Sequence, residues 1–156
     1  VGCGWGGLSA MASELPFVKT VLGIDIGEDI IGAAQNRYTD SKAKFVYIDA
    51  KHIQEKFDVI AMMGSTDYIL PTEFYSLLDH LLSITNKEII IQNSLRKIPF
   101  SEYLQLKEAK EVRRYDVGFV QPIQTVLLQL QDKYKFKFEI NKAGEDSVIP
   151  KIFLGN

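Results

Sequence analysis

Val1-Gly2-Cys3-Gly4-Trp5-Gly6-Gly7 is a glycine-rich turn that runs directly into Leu8, Met11, Ala12 and Leu15, which recur at helical spacing. Side chains at Gly2, Gly4 and Gly6 would block close approach of a ligand to the backbone. The amides that open the following helix attract an anionic or acceptor-rich group. A ligand site is therefore predicted at the start of the chain, with Cys3 filling a small space in the turn. Such a turn normally follows a hydrophobic strand. Only Val1 of that strand is present, so the first strand reads as truncated, with an apolar strand ending in Asp or Glu expected just before Val1.

Length and composition set the scale. The 156 residues, 46% hydrophobic and 24% charged, suffice for one globular core, and residues 1–156 read as a single domain. A formal net charge of -2 gives no overall basic field, so no nucleic-acid partner is expected. One cysteine cannot form an internal disulfide or a zinc site. No metal is expected, and a reducing, cytoplasmic compartment fits. The longest apolar runs are far too short for a membrane span, and no signal peptide is visible.

Outward from the turn, short apolar runs alternate with helical patterns. Val21 to Ile26, Phe45 to Ile48, Val59 to Met63 and Ile89 to Ile91 read as parallel strands buried on both faces, with helices between them. A helix is predicted after Pro71, burying Phe74, Leu77, Leu78, Leu81 and Leu82. Another is predicted after Pro122, burying Ile123, Val126, Leu127 and Leu130. Tyr134, Phe136, Phe138 and Ile140 then alternate with Lys135, Lys137, Glu139 and Asn141, the period of a half-exposed antiparallel strand. Ala143 to Ser147 reads as a turn, and Pro150 restricts the last strand to about Lys151 to Leu154.

Four features fall at the carboxyl ends of predicted strands, where open α/β sheets place ligands. The glycine turn is the first. Asp25 can accept hydrogen bonds from both hydroxyls of a ribose. Asp49 can accept from an exocyclic adenine amine, while the amide of Ala50 or Lys51 donates to a ring nitrogen. At Met63-Gly64-Ser65 the glycine lets a ligand lie close to the backbone.

Through VGCGWGG, GIDI with Asp25, YIDA with Asp49 and FDVIAMMG, the chain resembles the class I S-adenosylmethionine-dependent methyltransferases over almost its whole length. The resemblance implies a Rossmann-like α/β fold: a three-layer sandwich whose mostly parallel sheet ends in an antiparallel C-terminal hairpin, with the truncated strand in mid-sheet. It also implies S-adenosyl-L-methionine as cofactor. Gly2, Cys3, Gly4 and Gly6 would hold the methionyl part, Asp25 and Ile26 the ribose side, Asp49 and Ala50 the adenine, and Met63 and Gly64 would complete the site. Asn86-Lys87 stands where the family usually has a glycine pair before the fifth strand, a departure assigned to a turn. The VGCGWGG string is also similar to that of cyclopropane fatty acid synthases, but the segment around Asp25 departs from theirs.

The glycine turn also satisfies GxGxxG through Gly2, Gly4 and Gly7. A dinucleotide (NAD or FAD)-binding oxidoreductase and a non-catalytic methyltransferase-like binding domain therefore stand as alternatives. The YIDA strand end and the closing hairpin favour the methyltransferase over a dinucleotide domain, and the expected reaction is methyl transfer to oxygen or nitrogen of a small polar acceptor. Gly64-Ser65-Thr66-Asp67 replaces the Asn/Asp-Pro-Pro-aromatic motif of nucleobase methyltransferases. Asp67 and Tyr68 are the catalytic candidates, with a loop or cap role favoured for Asp67. Asn93, Arg113 and Arg114 are candidate substrate contacts, while His52 and His80 read as solvated histidines. Ser94 to Gln121 reads as a substrate lid. It carries six basic residues against four acidic ones in a chain of net charge -2, which suits an anionic acceptor as well as a solvated helix with paired charges.

Overall fold

In the computed structural model, which describes residues 1–94, 123–143 and 147–155, each of the four apolar runs lies in a strand. The chain divides into two compact units, Val1–Gln54 and Glu55–Asn156.

The first unit contains helix α1 (Gly7–Ser13), strand β1 (Val21–Asp25), helix α2 (Glu28–Arg37), strand β2 (Ala43–Tyr47) and a 3-10 turn at Ala50–His52. Strands β1 and β2 pair in parallel from Val21↔Ala43 to Asp25↔Tyr47. Helix α2 has Glu28 and Asp29 in its first turn and Arg37 in its last, both signs complementing the helix dipole. It turns Ile31 and Ala34 onto Ala43 and Phe45 of β2, with Cys3, Val21 and Tyr38 packed around them. The Gln35 side-chain amide donates to the Phe45 carbonyl at 2.9 Å and fixes helix to strand.

Two expectations fail in this unit. Helix α1 buries its small residues, Ala10 and Ser13, while Leu8, Met11 and Leu15 are exposed by 53%, 72% and 44%. The inward face is set by close approach: the Ser13 hydroxyl bonds the Ala10 carbonyl at 2.7 Å and meets the Ser41 hydroxyl at 3.0 Å. Strand β2 is also not buried on both faces, since Ala43 and Phe45 point inward while Val46 and Tyr47 are exposed. Its inward face meets α2.

The second unit runs β3 (Phe57–Met63), a 3-10 turn (Thr66–Tyr68), α3 (Pro71–Ser83), β4 (Thr85–Ser94), α4 (Ile123–Tyr134), β5 (Lys137–Lys142) and β6 (Ser147–Phe153). The strand order is β3-β4-β6-β5, with β3 parallel to β4 and β6 antiparallel to both of its neighbours. Pro71 opens α3, where its missing amide proton costs nothing. Phe74, Leu78, Leu81 and Leu82 of α3 are buried, as are Ile123, Val126, Leu127 and Leu130 of α4, following the predicted stripes except at Leu77, which is only half-buried. The Tyr134 hydroxyl donates to the Asp79 carbonyl at 2.9 Å and Lys133 pairs with the Asp79 carboxylate at 2.7 Å, joining α3 to α4.

The last strand is longer than Pro150 seemed to allow. Pro150 lies inside β6, opposite Ile140 of β5. On the other side, the registered pairs with β4 stop at Ile90↔Lys151 and resume at Asn93↔Val148, so the residue lacking an amide proton falls where the ladder is interrupted. Asn86 and Lys87 lie within β4 rather than in a turn. Both reach Asp58 on β3, at 3.3 and 3.2 Å. Val59 of β3 is 49% exposed, so this strand too is only partly covered. The predicted turn at Ala143 to Ser147 lies mostly outside the described residues, as do residues 95–121 of the predicted lid, including Arg113 and Arg114. Among the described residues, no helix is long and apolar enough to cross a membrane.

Candidate functional site

In the first unit the glycine turn folds back on the end of β1. Gly2, Gly4 and Gly6 take positive φ angles of 64°, 52° and 83°. The turn is closed by the Cys3 amide donating to the Ile24 carbonyl at 2.9 Å and the Gly6 amide donating to the Cys3 carbonyl at 3.1 Å. Asp25 completes the arrangement. Its Oδ2 accepts from the Gly4 amide at 3.0 Å, and its Oδ1 accepts from the Gly27 amide at 3.1 Å.

The glycines differ in what surrounds them. A Cβ on Gly6 would sit 2.7 Å from Phe45 Cε1 and 3.0 Å from the Ala34 methyl, so core packing demands glycine there. A Cβ on Gly4 would meet nothing within 4 Å. Gly4 therefore leaves an open face beside the Asp25 carboxylate, where a ligand can approach the backbone. Cys3 is half-buried against the core cluster. Burial first, and then the charge of Asp25, push its thiol pKa up, and the side chain packs against the core cluster.

Asp49 lies beside Asp25, because the Ile48 amide donates to the Asp25 carbonyl at 3.1 Å. It caps the 3-10 turn, accepting from the Lys51 amide at 3.1 Å and pairing with the Lys51 ammonium at 3.1 Å. Burial alone would raise its carboxyl pKa, but the two Lys51 contacts, with His52 nearby, outweigh this and hold it below the ordinary value. The Lys51 amide is thus engaged by Asp49, which leaves the Ala50 amide as the candidate donor to a ring nitrogen. Ala50 is buried, Ile26 is 71% exposed, and His52 lies on the surface.

In the second unit, Met63 and Gly64 end β3, and Met63 is in register with Gln92 of β4. Gly64 has φ 75° and open space where a Cβ would stand, the same signature as Gly4. Thr66 is fully buried and its hydroxyl donates to the Gln92 carbonyl at 2.8 Å, locking the 3-10 turn onto β4. That turn carries Asp67, which is buried, and Tyr68, which is 65% exposed. Asn93 follows Gln92 in β4, so Asp67, Tyr68 and Asn93 belong to the carboxyl ends of β3 and β4. His80 is half-buried in the last turn of α3.

Sequence reasoning missed Gly27 and Thr66, and it offered the Lys51 amide to a ligand where that amide instead bonds Asp49. The Gly27 and Lys51 contacts were detectable, since an aspartate at a strand end favours an Asx-type turn that returns its carboxylate to the amide two residues on. The Thr66 bond joins residues far apart in sequence and left no local signal. Among the described residues no group of His, Cys, Asp and Glu is arranged to hold a metal ion.

Residues 1–88 match the family model described as "Methyltransferase domain". No curated protein matches the sequence. Among solved structures, magnesium protoporphyrin IX methyltransferase (ChlM) from Synechocystis PCC 6803 with bound SAH superposes with a TM-score of 0.75 at 18% identity, over 99% of this chain and 71% of that one. The plantazolicin methyltransferase BpumL, in complex with a monoazolic desmethylPZN analog and SAH, gives 0.72 at 18% identity, over 99% of this chain and 74% of that one. The methyltransferase domain of bacterial CtHen1 gives 0.74 at 12% identity, over 98% and 87%. At such identities the superpositions establish a Rossmann-like α/β fold. The family match, spanning more than half of the chain and containing the glycine turn, Asp25, Asp49 and Gly64, shows that this chain belongs to the methyltransferase-domain family.

Proposed function

We propose that the chain is an S-adenosylmethionine-dependent methyltransferase acting on oxygen or nitrogen of a small polar acceptor. The carrying observation is the open face of Gly4 beside the Asp25 carboxylate. It suits a ligand that sets an amino-acid tail on the turn and ribose hydroxyls on the acid. Each Asp25 oxygen accepts one amide and keeps capacity for a hydroxyl. Ile26 offers an apolar surface to the ribose and base, Asp49 accepts from the adenine amine, and Gly2, Cys3, Gly6 and Ala50 supply backbone and shape, while Met63 and Gly64 are assigned to the same cofactor by the family resemblance of FDVIAMMG.

When bound, the cofactor supplies a methyl group already activated on a sulfonium, for in-line displacement. The chain's own work is then to orient the acceptor and exclude water, with a base required only where the acceptor must lose a proton early. Asp67 and Tyr68 are proposed for that region, together with Asn93, Arg113 and Arg114 as acceptor contacts. Residues 94–121 are proposed as a lid, and residues 1–156 as one methyltransferase domain. The small-molecule reading is supported by the acceptors named for ChlM and BpumL, and a cytoplasmic location by the single cysteine.

Incubating the chain with S-adenosylmethionine and a panel of small hydroxyl, carboxyl and amine acceptors, while measuring S-adenosylhomocysteine release, tests this reading. Turnover with at least one acceptor class, lost in Asp25→Ala, is expected. Cofactor binding with no release across the panel would point to a non-catalytic domain.

A further inference from the structure

Three glycines with left-handed backbone within residues 2 to 6 make a turn with much conformational freedom to lose. Its backbone ties include the Cys3 amide to the Ile24 carbonyl, the Gly6 amide to the Cys3 carbonyl and the Ala10 amide to the Gly6 carbonyl, so they lie at Cys3 and Gly6. The residue between them that faces open space, Gly4, is held by the Asp25 carboxylate at 3.0 Å, and the neighbouring Trp5 is 65% exposed and does little to anchor the turn by burial. The other carboxylate oxygen is fixed by Gly27 at 3.1 Å, at the N-cap of α2. Asp25 therefore ties the middle of the glycine turn to the start of α2 through two charge-assisted hydrogen bonds, which are stronger than neutral ones.

We infer that Asp25 is a positioning residue for the glycine turn as well as a ribose ligand: its carboxylate clamps Gly4 in the shape that receives the cofactor's amino-acid tail. This rests on the proposed cofactor site. It adds that the ribose end and the tail end of that site are coupled through one side chain. A residue acting at the ribose alone would affect every ribose-bearing ligand equally. A clamp affects most those ligands whose tail lies on the turn.

The test uses the full chain and Asp25→Asn, with two probes. S-adenosylhomocysteine carries both ribose and amino-acid tail; 5′-methylthioadenosine keeps the ribose and adenine but lacks the tail. In calorimetry the substitution is expected to weaken S-adenosylhomocysteine at least threefold more than 5′-methylthioadenosine. Hydrogen exchange on the ligand-free protein gives a second reading: the Gly4 amide should exchange at least tenfold faster in Asp25→Asn, while the amides of Gly23 and Ile24 in β1 stay unchanged. Equal weakening of both probes, or unchanged Gly4 exchange, overturns the clamp. If the wild-type chain binds neither probe, the cofactor reading fails and Gly4 exchange alone decides whether the clamp exists. Should Asp25→Asn not fold, Asp25→Ser serves for the same comparisons.

Discussion

Gly4 and Gly6 share a left-handed backbone, yet substitution at each should fail for a different reason. An alanine at Gly6 would drive its methyl into Phe45 and Ala34. Gly6→Ala should therefore lose well over the roughly 1–2 kcal/mol of left-handed backbone strain, measured by urea unfolding. Gly4→Ala should lose about 1–2 kcal/mol, since nothing lies near its Cβ, while weakening S-adenosylhomocysteine at least as strongly. Equal stability loss at the two positions would contradict this division. For Asp25→Ala the ribose bonds alone should cost about 1.5–3 kcal/mol of S-adenosylhomocysteine binding. Cys3 provides a pH test. Its thiol is raised by burial and by Asp25, so iodoacetamide should modify it more slowly than a free thiol at pH 8, with a rate that keeps climbing above the ordinary thiol pKa. Modification as fast as that of a small thiol would count against the packed turn. The sequence made these residue types legible as a ligand turn. What a Cβ at Gly6 would meet depends on Phe45 and Ala34, distant in sequence, and had no local signature.

Among the elements, α3 and α4 were readable because each buries a wide stripe at helical spacing against a core. Helix α1 was not. It spans only Gly7–Ser13, and its contacts require small side chains, so the large apolar residues that dominate its pattern face outward. Ala10→Leu should consequently destabilise by about 1–3 kcal/mol through overpacking, while Met11→Gln stays within about 0.5 kcal/mol, the reverse of what hydrophobic periodicity would rank. Thermal and urea melts of the two variants decide it. Pro150 misled for a related reason: a proline inside a strand is tolerated where the ladder is interrupted, and that interruption depends on the register with β4. The α3–α4 link is testable through Tyr134→Phe, which removes the bond to the Asp79 carbonyl and should cost about 0.5–1.5 kcal/mol. Unchanged stability would show the bond to be dispensable.

For the whole molecule, the order of strands, helices and closing hairpin was legible because a continuous apolar run, a striped helix and an alternating strand leave different periods in the sequence, although β2 and β3 are less covered than their runs implied. The acceptor was not legible. Sulfonium methyl transfer asks the protein mainly for positioning, which no residue type announces. If residues 94–121 form the lid, Arg113→Ala with Arg114→Ala should lower acceptor turnover and leave S-adenosylhomocysteine affinity unchanged. Loss of cofactor binding in that double variant would place the segment in the scaffold instead. The central claim, that the glycine turn, Asp25 and Asp49 form an adenosyl-cofactor site, is tested most directly by calorimetric titration of the chain with S-adenosylhomocysteine and, separately, with NADH. One-to-one binding of S-adenosylhomocysteine with a Kd below about 0.1 mM, and no binding of NADH, is the predicted result. NADH binding in its place, or no binding of either ligand by the folded protein, would contradict the account.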